Sequence, residues 1–450
     1  MLLGESKANF SFKGIVSWVL EYIVTIIFVL FIIFGFVVSE DISMNQFLMD
    51  LNGRVFRNTF LVLSLVIPVI AGLGLNFAIV IGAMSGQAAI IIARYSEIGG
   101  INGLLFCIVV SFFFAAICGY LTGILFNKTR GQEMIAGMIA GFFATGIYLF
   151  IFLFVVGAII KVQATHPMII PDTGIGIRGS VDLMPLKNGG LKYVIDNIYK
   201  IPFVNALLII SLAIPAIMLI VYYINKRKGQ GYKNNPVSLC FNASLCIVIA
   251  VIMAYAINIK YAFIKIPPIP IFDTWVPNLL RVPPVPVVTG LLIIALCIFT
   301  VLIMKTKLGQ DFRSVGQSQH IAEVSGINVD RTRIIATIIS TVLAAWGQLI
   351  FVQNMGTLNT YDAHRQVGMF SVAALLVGGA STSRASVGNA ILGVILFNAM
   401  FIMSPAIGKA LFGDPGSAEY FRTFMAYSAI GLALGLHVWK ESKKSKIKVE

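Results

Sequence analysis

A chain of 450 residues that is 58% hydrophobic and only 12% charged, with a mean hydropathy of +0.91, cannot clothe a soluble surface, which takes roughly a quarter of its residues charged. Its length is better counted in membrane crossings, and at roughly 20 apolar residues per helix it holds about ten to twelve. The net charge of +14 is no nucleic-acid signal, because the basic residues sit in short patches between apolar stretches.

Apolar segments fall at 15–38, 58–82, 84–95, 103–126, 133–160 and 203–225, then at 238–259, 285–304, 334–353, 367–379, 386–404 and 423–439. The first reads as a permanent helix rather than a cleaved signal: Tyr22 to Val38 carries no charge, and no small-x-small site precedes Ser39-Glu40-Asp41. The second and third share 36 uncharged residues between Arg57 and Arg94, about 54 Å as one straight helix. That is nearly twice the hydrocarbon thickness, so the run must break, either in Ala71-Gly72-Leu73-Gly74 or in Gly82-Ala83-Met84-Ser85-Gly86. The tenth, Val367 to Gly379, reaches about 20 Å as a helix and must be a re-entrant piece or a half-helix inside protein. The expected fold is an all-α polytopic membrane helix bundle, about 10–12 transmembrane segments with broken or re-entrant helices, in one membrane domain over residues 1–450.

Lys/Arg bias in the short loops puts both termini inside. The inner groups are Lys226-Arg227-Lys228 with Lys233, the 305–333 connection and the basic tail 440–450. The loop 161–202 is then extracytoplasmic, with Pro167, Pro171, Pro185 and a formal GxGxxG at Gly174 to Gly179. That motif needs a strand before it and a helix after it to hold a dinucleotide, and the prolines oppose both. A second outer stretch, Ile266 to Pro270 and Pro283 to Pro286, is stiff and extended; it either shapes the mouth of a path or is a spacer.

The chemistry of most enzymes is missing. No Walker loop occurs; Gly408-Lys409-Ala410 lacks both the hydroxyl and the upstream glycine. His166, His320, His364 and His437 are scattered, and Cys107, Cys118, Cys240, Cys246 and Cys297 show no CxxC spacing, so neither a metal nor another cofactor is expected. No pair of acids or nucleophile–base set is visible, and the chain is not read as an enzyme. Coupling-ion sites are lacking too: Glu21 is the one ionisable residue well inside a segment, placed to snorkel to the interface. The spans carry neutral groups instead: Asn76, Gln87, Thr145, Tyr148, Asn205, Gln348, Gln353 and Asn398. Such groups either join helices or line a path for an uncharged, hydroxyl-rich solute. Discontinuous helices are where transporters place substrate contacts, so Asn76, Phe77, Gln87, Gln348 and Asn398 are assigned to the translocation path.

The inner connection reads KTKLGQDFRSVGQSQHIAEVSGINVDRTR from Lys305 to Arg333. Ser314 and Gln317 have capping-box spacing, Gly326 can end a short helix in the left-handed conformation, and Ile321 and Val324 share a face. A plain connector needs two to eight residues; this length suits an amphipathic helix that docks another protein, or one lying on the headgroups.

The string RSVGQSQHIAEVSGINVDRTR, the following ATIISTVLAAWGQLI, the segment SVAALLVGGASTSRASVGNAILGVILF, and the stretches Gly72 to Ile90 and Gly119 to Ala140 resemble the permease subunit of bacterial ABC importers, in the branch serving ribose-type sugars, branched-chain amino acids and nucleosides. Arg313, Gly316, Ala322, Gly326-Ile327-Asn328-Val329, Arg331 and Gly378-Gly379-Ala380-Ser381 match that pattern. Thr382 to Ser386 lack the family's usual glycines, and 161–260 looks inserted or diverged. The resemblance implies a multi-pass protein of the bacterial cytoplasmic membrane. It also implies cytoplasmic ABC ATPase subunits gripping the 305–333 loop, a second permease subunit, identical or homologous, and an extracytoplasmic solute-binding protein. Arg313, Gly316, Ile321, Glu323, Val324 and Gly326 would then couple to the ATPase. The cargo is read as a sugar, nucleoside or flavin-like solute, the alternatives being branched-chain amino acids or an ion-coupled secondary transporter.

Overall fold

The computed structural model describes residues 12–39, 42–160, 176–184, 189–227, 236–261 and 277–447. The stretches 161–175 and 262–276, with His166, lie outside the described residues, as do Lys228, Lys233 and 448–450; so do the side chains of Glu21, Lys226, Cys240, His437 and the rest of the tail.

The helices are α1 Phe12–Val38, α2 Met44–Ser64, α3 Val66–Ile70, α4 Ile79–Tyr95, α5 Gly100–Lys128 and α6 Glu133–Phe150. They continue with α7 Phe203–Arg227, α8 Pro236–Tyr261, α9 Val287–Ile303, α10 Lys307–Gln317, α11 Gln319–Val324, α12 Val329–Met355, α13 Ala363–Val377, α14 Val387–Phe412 and α15 Pro415–Ile447. Two small antiparallel pairs complete the fold: β1 Ser180–Asp182 with β4 Thr357–Asn359, and β2 Lys200–Ile201 with β3 Val285–Pro286. The protein is a polytopic helical membrane bundle. Among the described residues six helices are long and apolar enough to cross a membrane. A seventh is reached if α9 and α10 are taken together across their 75° bend, and shorter apolar stretches lie at Val24–Val38, Ile79–Tyr95 and Cys246–Ile259. Ten of the twelve apolar segments read from the sequence each fall mainly on one helix, although not all reach spanning length; 58–82 instead runs from α2 through α3 and across a break into α4, and 84–95 is the rest of α4.

The chain forms two compact units, one of residues 1–41, 54–195 and 291–450 and a smaller one of 42–53 and 196–290. The smaller unit is built on the α7–α8 pair around Val204, Met253, Ala256 and Leu279, and Thr289 Oγ1 donates to the buried Asp196 carboxylate at 2.5 Å.

In the larger unit α12 is the central post, about 40 Å long and buried along most of its length. It is gripped through glycines spaced four apart. A Cβ on Gly82 or Gly86 of α4 would stand 2.5 or 2.6 Å from the carbonyls of Thr341 and Ala345, and one on Gly123 of α5 would stand 2.9 Å from Ile334 Cα. With lipid on the outside there is no hydrophobic drive between helices, so close backbone approach at small residues supplies the packing. The outward face of α5 carries Ile101, Leu105, Val109, Phe113, Ile117 and Leu121, all exposed, a stripe for lipid tails.

The long uncharged run breaks at Ala71–Gly74, the first of the two expected places; Gly82–Gly86 stays inside α4. Gly72 has φ +76°, and the bonds Leu73 N to Pro68 O (3.0 Å) and Gly72 N to Val69 O (3.1 Å) form the paired helix-ending motif that a left-handed residue permits. The short tenth segment is α13, 15 residues long and buried on nearly every face, a half-helix enclosed by protein as its length required.

Candidate functional site

Two groups of residues in the larger unit bear on function. The first is the 305–333 connection, which folds as two helices rather than the single one expected. Ser314 lies inside α10 and caps nothing; the cap is Ser318, whose hydroxyl accepts from Ile321 N at 3.4 Å. Thr306 caps α10 and Asn328 caps α12 in the same way, the latter at 2.9 Å. Gly326 ends α11 at φ +80°, with Ile327 N bonded to Ala322 O and Gly326 N to Glu323 O, both at 3.0 Å.

This loop is anchored from one side and bare on the other. Val315, Ala322 and Val329 pack together with Ile327, which leaves Ile321 and Val324 at 66% and 77% exposure. Arg313 is exposed on α10. Glu323 does not project freely: Arg130 bridges it at 3.1 Å and Asp330 at 2.6 Å, and these residues with Gly326 and 327–330 rim an open hollow of about 390 Å³. The hydrogen bond that Arg130 donates to the Asp330 carboxylate, first among several causes, raises the pKa of its guanidinium above the usual value.

Gly316 makes the contact that matters most. A Cβ there would collide with Ile70 O, and one on Gly72 would stand 2.8 Å from Gly316 Cα. Helix α10 is therefore pressed, backbone to backbone, on the break between α3 and α4. Beneath it lies Arg333, fully buried, whose guanidinium donates to Phe126 O (3.0 Å), Glu133 Oε1 (2.5 Å) and Gln319 Oε1 (3.3 Å). It ties α12, α5, α6 and α11 at one node. Sequence reasoning passed over it as the last residue of a loop; an arginine directly entering an apolar run was the available signal.

The second group is the set of buried polar side chains. Asn76, 1% exposed, lies in the turn just before α4: its Oδ1 accepts from Ala78 N at 3.0 Å, while its amide reaches Ser340 Oγ at 3.4 Å. Ser340 also donates to Ser64 O at 3.0 Å, so α12 holds both sides of the break. Phe77 beside it is half-buried. Asn398 is paired, accepting from Asn58 Nδ2 at 2.9 Å and donating to Val394 O at 2.8 Å, and so joins α14 to α2. Asn76 and Asn398 thus have their hydrogen bonds inside the protein. Gln87 and Gln348 differ. Gly86 packs on the stem of Gln348, where a Cβ on the glycine would fall 3.2 Å from Gln348 Cβ. That contact brings Gln348 against the turn of α4 that bears Gln87. Both Gln348 amide atoms and Gln87 Nε2 are buried without a partner. His364 of α13, singled out by nothing in the sequence, meets Gln87 Oε1 through Nδ1 at 3.0 Å.

Between them these features can do two things: offer a surface knob linked by direct backbone contact to a helix break, and hold uncharged hydrogen-bonding groups inside an apolar bundle. The GxGxxG stretch leads into β1, not a helix, which removes the dinucleotide geometry.

Residues 192–430 match the family described as the permease component of branched-chain amino acid transport systems, 239 of the 450 residues. Over 142 residues the chain is 30% identical to a xylose transport system permease protein of Haemophilus influenzae, covering 32% of this chain and 35% of that one. Over 90 residues it is 31% identical to a nucleoside ABC transporter permease protein of Lactococcus lactis, covering 20% and 25%. The aligned stretches thus span about a third or less of these relatives' own length. No solved structure matches the chain.

Proposed function

The chain belongs to the permease family of branched-chain amino acid transport systems, and on that premise we propose that it is the transmembrane subunit of an ATP-driven importer for a small uncharged solute. The observation that carries the reading is the backbone contact of Gly316 on Gly72. It links a loop with a bare apolar tip to a break in the membrane helices. In this reading ATPase subunits seat Ile321 and Val324 from the cytoplasm. Their closure on ATP moves α10, and the close-packed contact passes the movement to the α3–α4 break, because packed backbones shift as units rather than deform. Parting of the helices around α4 then opens the path on one side and closes it on the other. A second permease subunit completes the path and an extracytoplasmic binding protein delivers the solute; the protein resides in the bacterial cytoplasmic membrane with both termini inside.

Of the path residues, Gln87 and Gln348 are the ones with hydrogen-bonding capacity to spare. Asn76 and Asn398 position helices along that path, and Phe77 adjoins it at the break. The names of the relatives favour a sugar or nucleoside cargo. A branched-chain amino acid would bring an ammonium and a carboxylate, and the unpartnered amides offer no formal charge to meet them.

The test is reconstitution in proteoliposomes. The chain alone should hydrolyse no ATP and accumulate no solute, and both activities should appear when ABC ATPase subunits, the second permease subunit and the solute-binding protein are added. ATP hydrolysis by the isolated polypeptide, or uptake driven by an ion gradient without the ATPase, would refute the proposal.

A further inference from the structure

Gln87, Tyr148 and His364 come from three helices, α4, α6 and α13, and all are buried, His364 and Gln87 completely. Gln87 Oε1 faces His364 Nδ1 at 3.0 Å. An amide oxygen accepts, so Nδ1 carries a proton, and in the neutral ring Nε2 is left as an acceptor. Gln87 Nε2, His364 Nε2 and the Tyr148 hydroxyl then have no partner in the protein. Native interiors keep such atoms few, and three in one neighbourhood describe a site completed by something else.

The surroundings suit a ligand. The Tyr148 and His364 rings lie 5.1 Å apart at 60°, and Phe152 follows Tyr148 at 4.6 Å, so aromatic surface borders the polar atoms. Soon after Tyr148 the helix loses α geometry, with Ile151–Val155 forming a π-helical turn. Such turns are rare and recur at functional sites. The opposite wall is fixed: a Cβ on Gly368 of α13 would stand 2.6 Å from Val80 Cγ2 of α4. Helix α6 carries Phe142, Phe143, Ile147 and Phe150 exposed on its outer face.

We propose that Gln87, Tyr148 and His364 form the solute-recognition station of the path and that their ligand is the ring of a pentose, free or as the sugar of a nucleoside. This rests on the importer reading above. A vicinal diol supplies one O–H to His364 Nε2 and accepts from Gln87 Nε2–H and the Tyr148 hydroxyl, while the C–H face of the sugar lies on the aromatic rings. Nothing in the station carries a formal charge to hold an ionised solute.

The experiment measures uptake of labelled D-xylose, D-ribose, uridine and L-leucine in cells expressing the complete transporter. His364→Leu, His364→Gln and Tyr148→Phe are compared with the native chain, with membrane abundance and ATPase co-purification measured in the same cells. Uptake of a pentose or of uridine is expected, and which of them is taken up identifies the source of the ring. His364→Leu and Tyr148→Phe should raise the half-saturating concentration by about tenfold or more at unchanged abundance, and His364→Gln, which keeps an acceptor, should recover part of the loss. Unchanged half-saturation in both deleting variants overturns the station, the three atoms then being satisfied by internal water. Uptake of leucine alone, or of none of the four by a chain that keeps its ATPase, overturns the pentose ligand. Loss of both uptake and ATPase association in the native chain overturns the importer reading instead.

Discussion

Replacing Arg333 with Met tests whether one buried cation holds the 305–333 loop to the bundle. The guanidinium is fully buried and makes three hydrogen bonds, to Phe126 O, Glu133 Oε1 and Gln319 Oε1. Met fills most of the same volume but donates nothing, so Glu133, whose side chain is 11% exposed, is left as a nearly buried carboxylate. Stranding one partner of a buried pair costs about 3–5 kcal/mol. Two features place the cost near the lower bound. Glu133 keeps some access to water, and Arg333 Nε has no partner, so the substitution also removes an orphan donor. We therefore expect a loss of about 3 kcal/mol. Adding Glu133→Gln removes the stranded charge, so the double variant should be about 2 kcal/mol more stable than the sum of the two single changes. The assay is reversible unfolding of the purified chain in mixed micelles titrated with SDS, followed by circular dichroism. A loss below about 1 kcal/mol for Arg333→Met, or strict additivity in the cycle, would refute the anchoring role.

Ile321→Asp combined with Val324→Asp should leave micelle stability unchanged, because both side chains are exposed at 66% and 77%, and should abolish co-purification of the ATPase; retained binding would make the knob a surface feature. Gly326→Val meets no atom within 4 Å but must hold a branched residue at φ +80°, which costs about 1–2 kcal/mol and should loosen α11; coupling measured as ATP-driven uptake should fall at normal membrane abundance. Glu323→Lys should cost less than about 1 kcal/mol in stability, since its partner Arg130 is solvent-exposed and keeps Asp330. In a chain whose native cysteines are replaced, Val324→Cys should react with an impermeant maleimide only from the cytoplasm and Met184→Cys only from outside; reversed labelling would overturn the orientation.

What local chemistry dictates was legible in the residue order. The uncharged run before Arg94 had to break, because no bilayer accommodates a helix of that length, and Gly72 supplied a left-handed position to end on. Gly326 ended α11 for the same reason, Ile321 and Val324 stood out as apolar residues in a polar loop, and the tenth segment was too short to cross. Each of these is decided by neighbours within a few positions, by φ, by rise per residue or by capping. Ser314 misled because its spacing to Gln317 imitates a cap, yet the turn closes four residues later on Ser318, and only the path of the backbone separates the two.

The tertiary structure alone decided which faces meet. In a soluble protein an amphipathic stripe tells which side of a helix turns inward, but here lipid and protein interior are equally apolar, so the sequence of a span carries little signal of its facing. That is why Gln87 and Asn398 looked alike as lone amides. Packing then gave Asn398 a partner in Asn58, while Gln87 met His364 across 277 positions and kept a donor to spare. It is also why Gly316 could not be matched to Gly72 beforehand. A glycine shows that close approach is allowed, and only the assembled backbones show what comes close.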